Sequence, residues 1–513
     1  MAKLVNGKWE APFWGKAHNV IGGRDPLGMQ SSSVATYGKM LPGITNLTDR
    51  IRYYGFFSWI MKNFQKDPEP WNGIGRTNYT RRCELLFAYI NLYNNDITGI
   101  TGSDYVGKNR CKDDDDKDNL AVGADYKPEG AYWKLKAGSF GQYYSGSMQG
   151  LGLIKKENDI LSITTTGEIL AAKFEERFSV GTKVKFFNIV KRGSFTCKEI
   201  MEFKDEFYVT NIQAGEQEFY HKILLAYDHG FSERDLYSEH RKKSLMFILK
   251  SIERGELLHL LDTPKLAYKK FGKDSTESGS ATTGWYYYQL NEYCHYALET
   301  IFWGILYELQ NRGNAVLSSF MNECVEEVIK INKFDKNWRE TAIVKDQDIH
   351  HNELTELISN INANIKAGET YLAMANGFAM LFNVYLRNAG SMEELYKLST
   401  ELELRRKGDC LEVFSYLQQT AELDLQELIF KIMQRFIIDN HMLVAYRKMG
   451  LTNQNSLKFH IEDGIIWFRN IIKPVWTTPR LKVLGDVLVD LDIIKDSMTE
   501  VNTKSEFWRR MNA

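Results

Sequence analysis

Residues 284–310 read GWYYYQLNEYCHYALETIFWGILYELQ. Leu290, Cys294, Ala297, Leu298, Ile301, Ile305 and Leu309 recur there at helical spacing, and the run is too long for a strand. The segment therefore predicts a long, largely buried helix. Further helical patterns cover 315–332, 352–366, 369–387, 392–403, 411–420 and 424–448, so the middle of the chain, 198–450, reads as one large helical domain. The polar stretch FGKDSTESGSATTG, 271–284, interrupts it as a predicted loop. TYLAMANGFAMLFNVYL, 370–386, carries no charge but falls short of the ~20 residues that span a bilayer. Asn376, Gly377 and Asn383 interrupt it, so a buried core helix is expected and no membrane partner. No repeat of fixed period is evident.

The flanks differ in pattern. Residues 1–120 form an aromatic and Gly-rich helical domain, with turns at Pro26, Gly28, Pro42 and Gly43. Thr48 is placed to cap a helix carrying Ile51, Tyr54, Phe57, Trp59 and Ile60, and a second helix is expected over 81–93. Residues 121–197 contain SFGQYYSGSMQGLGLI, a short helix, then KKENDILSIT, two short strands turning at Asn158-Asp159. TTGEILAAKFEERF follows, with Thr165 as its predicted N-cap and Glu168 at capping-box spacing. This order of helix, hairpin and helix resembles the winged-helix fold, whose members commonly bind DNA through the helix before the wing. In 451–513, SLKFHIEDGIIWFRN predicts a hairpin around Glu462-Asp463-Gly464. TTPRLKVLGDVLVDLDIIKD then predicts a helix with Pro479 in its first turn, a possible second winged helix. The expected class is mainly α with small β hairpins, in a multidomain chain with an embedded winged-helix-like unit.

Composition sets outer bounds. The chain has 513 residues, 43% of them hydrophobic, which excludes disorder as the main state. Its 65 Lys and Arg balance 66 Asp and Glu, which excludes a globally basic nucleic-acid coat but leaves room for a local basic groove. Six widely separated cysteines, with no CxxC pair, argue against a structural zinc or redox motif and for a cytoplasmic location. The start of the chain lacks the apolar run of a signal peptide. Four consecutive Asp residues in KNRCKDDDDKDN, 108–119, repel one another and predict an exposed loop.

Chemistry-bearing patterns are sparse. RDLYSEH and RFIIDNH match the Arg–x4-6–His motif of the helical HEPN-family RNases. In such a site His transfers protons while Arg stabilises phosphate charge. Arg234 with His240 keeps the polar residue that this family prefers after Arg, whereas Arg435 with His441 has Phe436 there. Glu-x-x-His occurs as Glu218/His221, Glu256/His259 and Glu292/His295, with Glu299 one turn beyond. Two such pairs and two further Glu build a carboxylate di-iron site. Nothing in the sequence fixes partner helices, so these are expected to be helix-surface pairs pointing to different surfaces, with no metal and no cofactor. His350-His351, beside Asp346 and Asp348, reads as the start of a helix. GxxxxGK[ST], GxGxxG after a strand, GxSxG and HExxH are all missing from the sequence.

Basic and aromatic residues interleave at 50–54, 134–144, 181–192 and 240–243, the pattern that meets phosphates and stacks bases. Around the winged-helix pattern the candidate nucleic-acid contacts are Lys134, Lys136, Tyr143, Lys155, Lys156, Lys183, Lys185, Lys191 and Arg192.

The run GGRDPLGMQSSSVATYGKMLPGITNLTDRIRYYGFFSWI, 22–60, resembles a group of large uncharacterised bacterial proteins. They share a DPLG…LLPGITN…RYY…W opening and a C-terminal H..VA.RK…TPRL segment. Here the latter is His441, Val444, Ala445, Arg447 and Lys448, then Thr478-Pro479-Arg480-Leu481. The group is associated with mobile and antiphage-defence loci. The resemblance thus implies a non-catalytic DNA-binding or scaffold component of a defence system, with duplex DNA and a nuclease or ATPase as partners. The alternative is a HEPN-like RNase effector using Arg234 and His240.

Overall fold

The computed structural model describes residues 4–5, 8–9, 25–93, 97–109, 120–121, 125–127, 129–158, 160–225, 238–271, 279–331, 347–404, 408–452, 455–495, 500–505 and 507–509. These are mainly helical, with small antiparallel sheets. The chain divides into two compact units, Met1–Thr36 with Tyr286–Thr477, and Tyr37–Trp285 with Thr478–Ala513. Four described cysteines, Cys83, Cys294, Cys324 and Cys410, are buried free thiols, whereas Cys197 is disulfide-bonded. Wide spacing in sequence does not announce that bond.

The first unit is organised by the helix Gly279–Arg312 from Tyr286 onward. Its side chains are buried on every face as far as Leu306, as expected of a helix that is apolar all round. The helix begins at Gly279, so the last six residues of the expected loop are helical; 272–278 lie outside the described residues. Around it pack Leu317–Ile331, Gln347–Ala367 and Thr370–Asn388, the last being the uncharged stretch, here a core helix. Among the described residues no helix is long and apolar enough to cross a membrane. Leu425–Ile432 starts on Asp424, whose carboxylate accepts from the Glu427 amide at 2.8 Å. It continues through a π-helical stretch, Met433–Asp439, into Asn440–Thr452.

The expected C-terminal hairpin is present, with Phe459–Glu462 paired to Ile465–Phe468. Asp463 and Gly464 turn with φ of +50° and +76°, the left-handed pair that a two-residue hairpin needs. A third strand, Asn314–Val316, joins Ile465–Phe468 and makes it central. The helical pattern over 315–332 takes in two of these residues, Ala315 and Val316, because nothing local marks a strand whose partner lies so far along the chain.

The second unit is built on the helices Arg52–Lys66 and Gly75–Leu92. Tyr53, Phe56, Phe57, Trp59, Phe87 and Phe207 form an aromatic core, with Phe56 and Phe87 stacked at 4.2 Å. Thr48 does not cap the first of these helices; its buried hydroxyl accepts from Tyr54 instead, at 3.1 Å. The 139–178 pattern appears as Phe140–Tyr144 and Ser145–Gly150, the hairpin Ile154–Glu157 with Ile160–Ile163, and the helix Thr165–Glu175. The N-cap of the last is Thr164, not Thr165, and its hydroxyl accepts from the Gly167 amide at 3.1 Å. Likewise Pro479 lies outside the helix Leu481–Asp490, whose N-cap residue is Arg480.

Three arginines in this unit are fully buried and act as backbone clamps. Arg241 donates to the carbonyls of Ile223 and Leu224, at 2.8 and 3.0 Å, in the last turn of Ala214–Leu225. Such carbonyls have no partner within their own helix. Arg81 donates to Leu135 and Trp133 carbonyls. Arg52 meets Glu216 at 3.3 Å and the carbonyls of Glu206 and Tyr208.

Candidate functional site

The proposed nucleic-acid contacts sort into three kinds. Lys134, Lys136, Lys156, Lys191 and Arg192 are exposed, and Lys155, Lys183 and Lys185 half-buried. Several are already paired. Lys183 meets Glu175 at 2.6 Å, Lys155 meets Glu157 at 3.0 Å, and Arg192 holds Glu199 with two hydrogen bonds, while Lys185 is paired with Glu202. Tyr143 packs edge-on against Trp133 at 5.2 Å. The helix before the hairpin carries no Lys or Arg, and it turns Phe140, Tyr144 and Met148 into the core. The reading therefore rests chiefly on Lys134, Lys136 and Lys191, which are exposed. Arg50 and Arg52 are not available to phosphate. The first pairs with Asp490 at 2.6 Å and the second is buried.

Of the Arg–His pairs, Arg234 lies outside the described residues, and His240 sits half-buried in the first turn of Ser238–Glu253. Asp346 also lies outside them, and nothing is described of the side chains of Asp348, His350 and His351. Arg435 and His441 do not make a site. The guanidinium is exposed and lies over Tyr416, whereas the imidazole is 1% exposed and bonded on both nitrogens.

The Glu-x-x-His pairs diverge from the surface reading in two cases. Glu256 and His259 are exposed and lie past the end of a helix. Glu218 is half-buried and pairs with Lys222, but His221 is buried, with Nε2 3.4 Å from the Leu491 carbonyl oxygen. Glu292, His295 and Glu299 are buried, at 1%, 0% and 1% exposure. They share one face of Gly279–Arg312, because i, i+3 and i+7 follow the helical repeat. His295 Nε2 lies 2.9 Å from Glu299 Oε1 and 3.4 Å from Gln30 Nε2, and Nδ1 lies 3.8 Å from Glu292 Oε1. The second oxygens of both carboxylates are used elsewhere. Glu292 accepts from the Thr477 amide at 2.7 Å, and Glu299 from the Val475 amide at 3.1 Å. Between those amides, Trp476 stacks on Tyr296 with 4.1 Å between centroids.

Electrostatics explains why this group tolerates burial. A carboxylate removed from water is costly unless it is paired. Burial by itself would push the imidazole pKa down, but Glu299, then Glu292 and Asp25, outweigh it and hold it up at about 9. The result is an imidazolium held between two carboxylates. Its two nitrogens face different carboxylates, so the three groups flank the ring instead of converging on one point. Among the described residues no group of three or more His, Cys, Asp or Glu side chains is placed to hold a metal ion.

No family model, curated protein or solved structure matches this chain.

The residues that carry the sequence resemblance meet within each unit. In the first, Asp25 offers its carbonyl to Lys448 Nζ at 2.6 Å, Pro26 to His441 at 3.0 Å, and Leu27 to Asn440 Nδ2 at 2.6 Å. Gly28, at φ +75°, lies so close that a Cβ there would fall 2.9 Å from Val444 Cγ2. In the second, Arg480 donates to the Leu41 carbonyl at 3.0 Å and lies over Tyr37, and Asn46 donates to the Thr478 carbonyl at 2.9 Å. DPLG and H..VA.RK thus form one contact, LPGITN and TPRL another. Sequence reading places these motifs far apart and gives no sign that each serves the other.

Proposed function

We propose that this chain is a non-catalytic, duplex-DNA-binding or scaffold component of a bacterial antiphage defence system, acting in the cytoplasm with a nuclease or ATPase partner. The observation that carries the reading is the helix, hairpin and helix of 139–178, bordered by exposed Lys134, Lys136, Lys156 and Lys191. The hairpin also exposes Ile160, and the helix Val180–Arg192 exposes Val180 and Val184, a mixed basic and apolar border suited to binding. Two of the candidate histidines are engaged in the fold: His441 is bonded on both nitrogens and His295 is held between carboxylates.

The test is titration of the full chain with a duplex oligonucleotide at several salt concentrations. Three phosphate contacts give a log–log slope of about −3. Lys134→Ala, Lys136→Ala and Lys191→Ala together should weaken binding and flatten that slope while leaving the melting temperature unchanged. Binding that ignores salt, or equal affinity in the triple variant, overturns the DNA half of the reading. RNA cleavage that disappears in His240→Ala overturns its non-catalytic half.

A further inference from the structure

We propose that Glu292, His295 and Glu299 form a proton-operated latch for residues 475–477, closed while the imidazole carries its second proton and released when that proton leaves. The segment 469–479 has neither helix nor strand to hold it, so its attachment depends on individual bonds. Two of those are the Val475 and Thr477 amides, given to carboxylates seven residues apart on one helix. Each carboxylate accepts its amide best when ionised, and two buried carboxylates stay ionised side by side only with a cation between them. His295 is that cation.

The remaining atoms agree with this role. Glu292 Oε1, His295 Nδ1 and Glu299 Oε1 are buried without an aligned hydrogen bond. The group therefore holds together by charge more than by directed bonds, and loss of one proton removes most of the attraction. Asp25 also faces the imidazole, and Lys448 faces both Asp25 and Glu299. Gln30 is the neutral neighbour at Nε2, and residues 475–477 bring no titratable side chain of their own. Without its proton, His295 no longer offsets the charges of Glu292, Glu299 and Asp25, which weakens the hold of the two glutamates on the amides.

Trp476 reports the latch, since it is exposed and stacked on Tyr296 when the flanking amides are held. Labelling the full chain with 5-fluorotryptophan and assigning the Trp476 signal with Trp476→Phe gives a fluorine resonance to follow from pH 6 to 10. The resonance should shift with a midpoint near pH 9, the chain remaining folded by circular dichroism. In Glu299→Gln the nearest carboxylate charge is gone, and the midpoint should fall by about one pH unit or more. In His295→Gln the resonance should be independent of pH across that range. A flat wild-type profile, or the same midpoint in wild type and Glu299→Gln, overturns the proposal. So does a resonance that responds to added zinc or to chelator, because the group would then be a metal site.

Discussion

His441 Nδ1 lies 3.0 Å from the carbonyl oxygen of Pro26, and its other nitrogen, Nε2, lies 2.9 Å from the Lys458 amide. The amide can only donate, so Nε2 must accept and Nδ1 must carry the proton. One neutral tautomer therefore ties the 25–28 segment to the residues that open the C-terminal hairpin. Phe302 and Phe459 pack against the ring, at 4.8 and 5.1 Å, and leave it no water.

This bonding predicts acid sensitivity. Burial, with nearby Lys458 and Lys448, outweighs the Pro26 bond and lowers the imidazole pKa from 6.5 to about 4. The folded value lies below the unfolded one, so the stabilisation is complete above pH 6.5 and is lost as pH falls through about 4. Its size is on the order of 2–3 kcal/mol. His441→Gln, which keeps a donor and an acceptor but does not titrate, should melt lower than wild type at pH 7. Its melting temperature should then change less between pH 6.5 and 4.5 than that of wild type.

Much of the architecture is legible because its causes are local. Asp463-Gly464 states a turn, Asp424 a helix start, and the apolar run of 284–310 a central helix. What escapes is set by residues far apart in sequence. Asn314–Val316 become a strand only because Ile465–Phe468 lies beside them. Thr48 reads as a cap, yet Tyr54 takes its hydroxyl. Glu292, His295 and Glu299 do carry a local sign: three ionisable residues on one face of an otherwise apolar helix. Read as a surface stripe, they conceal the segment 475–477 that makes their burial tolerable.

The pair of Arg52 and Glu216 should prove costlier to break than to remove together. Both side chains are 0% exposed, so deleting one leaves an unpaired charge in the core. Arg52→Met should cost about 3–5 kcal/mol in chemical denaturation. Arg52→Met with Glu216→Gln should recover part of this. It will not recover all, because the carbonyls of Glu206 and Tyr208 still lose their donor. A fully additive double-mutant cycle would show that the two charges do not interact.

The last prediction concerns which cations are free. Glu175, Glu199 and Glu202 hold Lys183, Arg192 and Lys185, and so hide three positive charges beside the hairpin. Replacing all three acids by Gln unmasks those cations with little structural cost. Gln at 175 keeps the acceptor for Trp59 Nε1, now at 3.0 Å, and Gln at 199 keeps the capping-box acceptor for the Thr196 amide, now at 2.8 Å. If 134–192 is the face that meets duplex DNA, the triple variant should bind more tightly than wild type at low salt. Its salt slope should steepen by roughly 2–3, close to one unit for each cation released to a phosphate. Adding the same three charges on the helix Met392–Glu401 of the first unit, as in Glu393→Gln, Glu394→Gln and Glu401→Gln, changes net charge equally. That control should leave the slope where it is, so a gain seen in both variants would reduce the effect to overall charge.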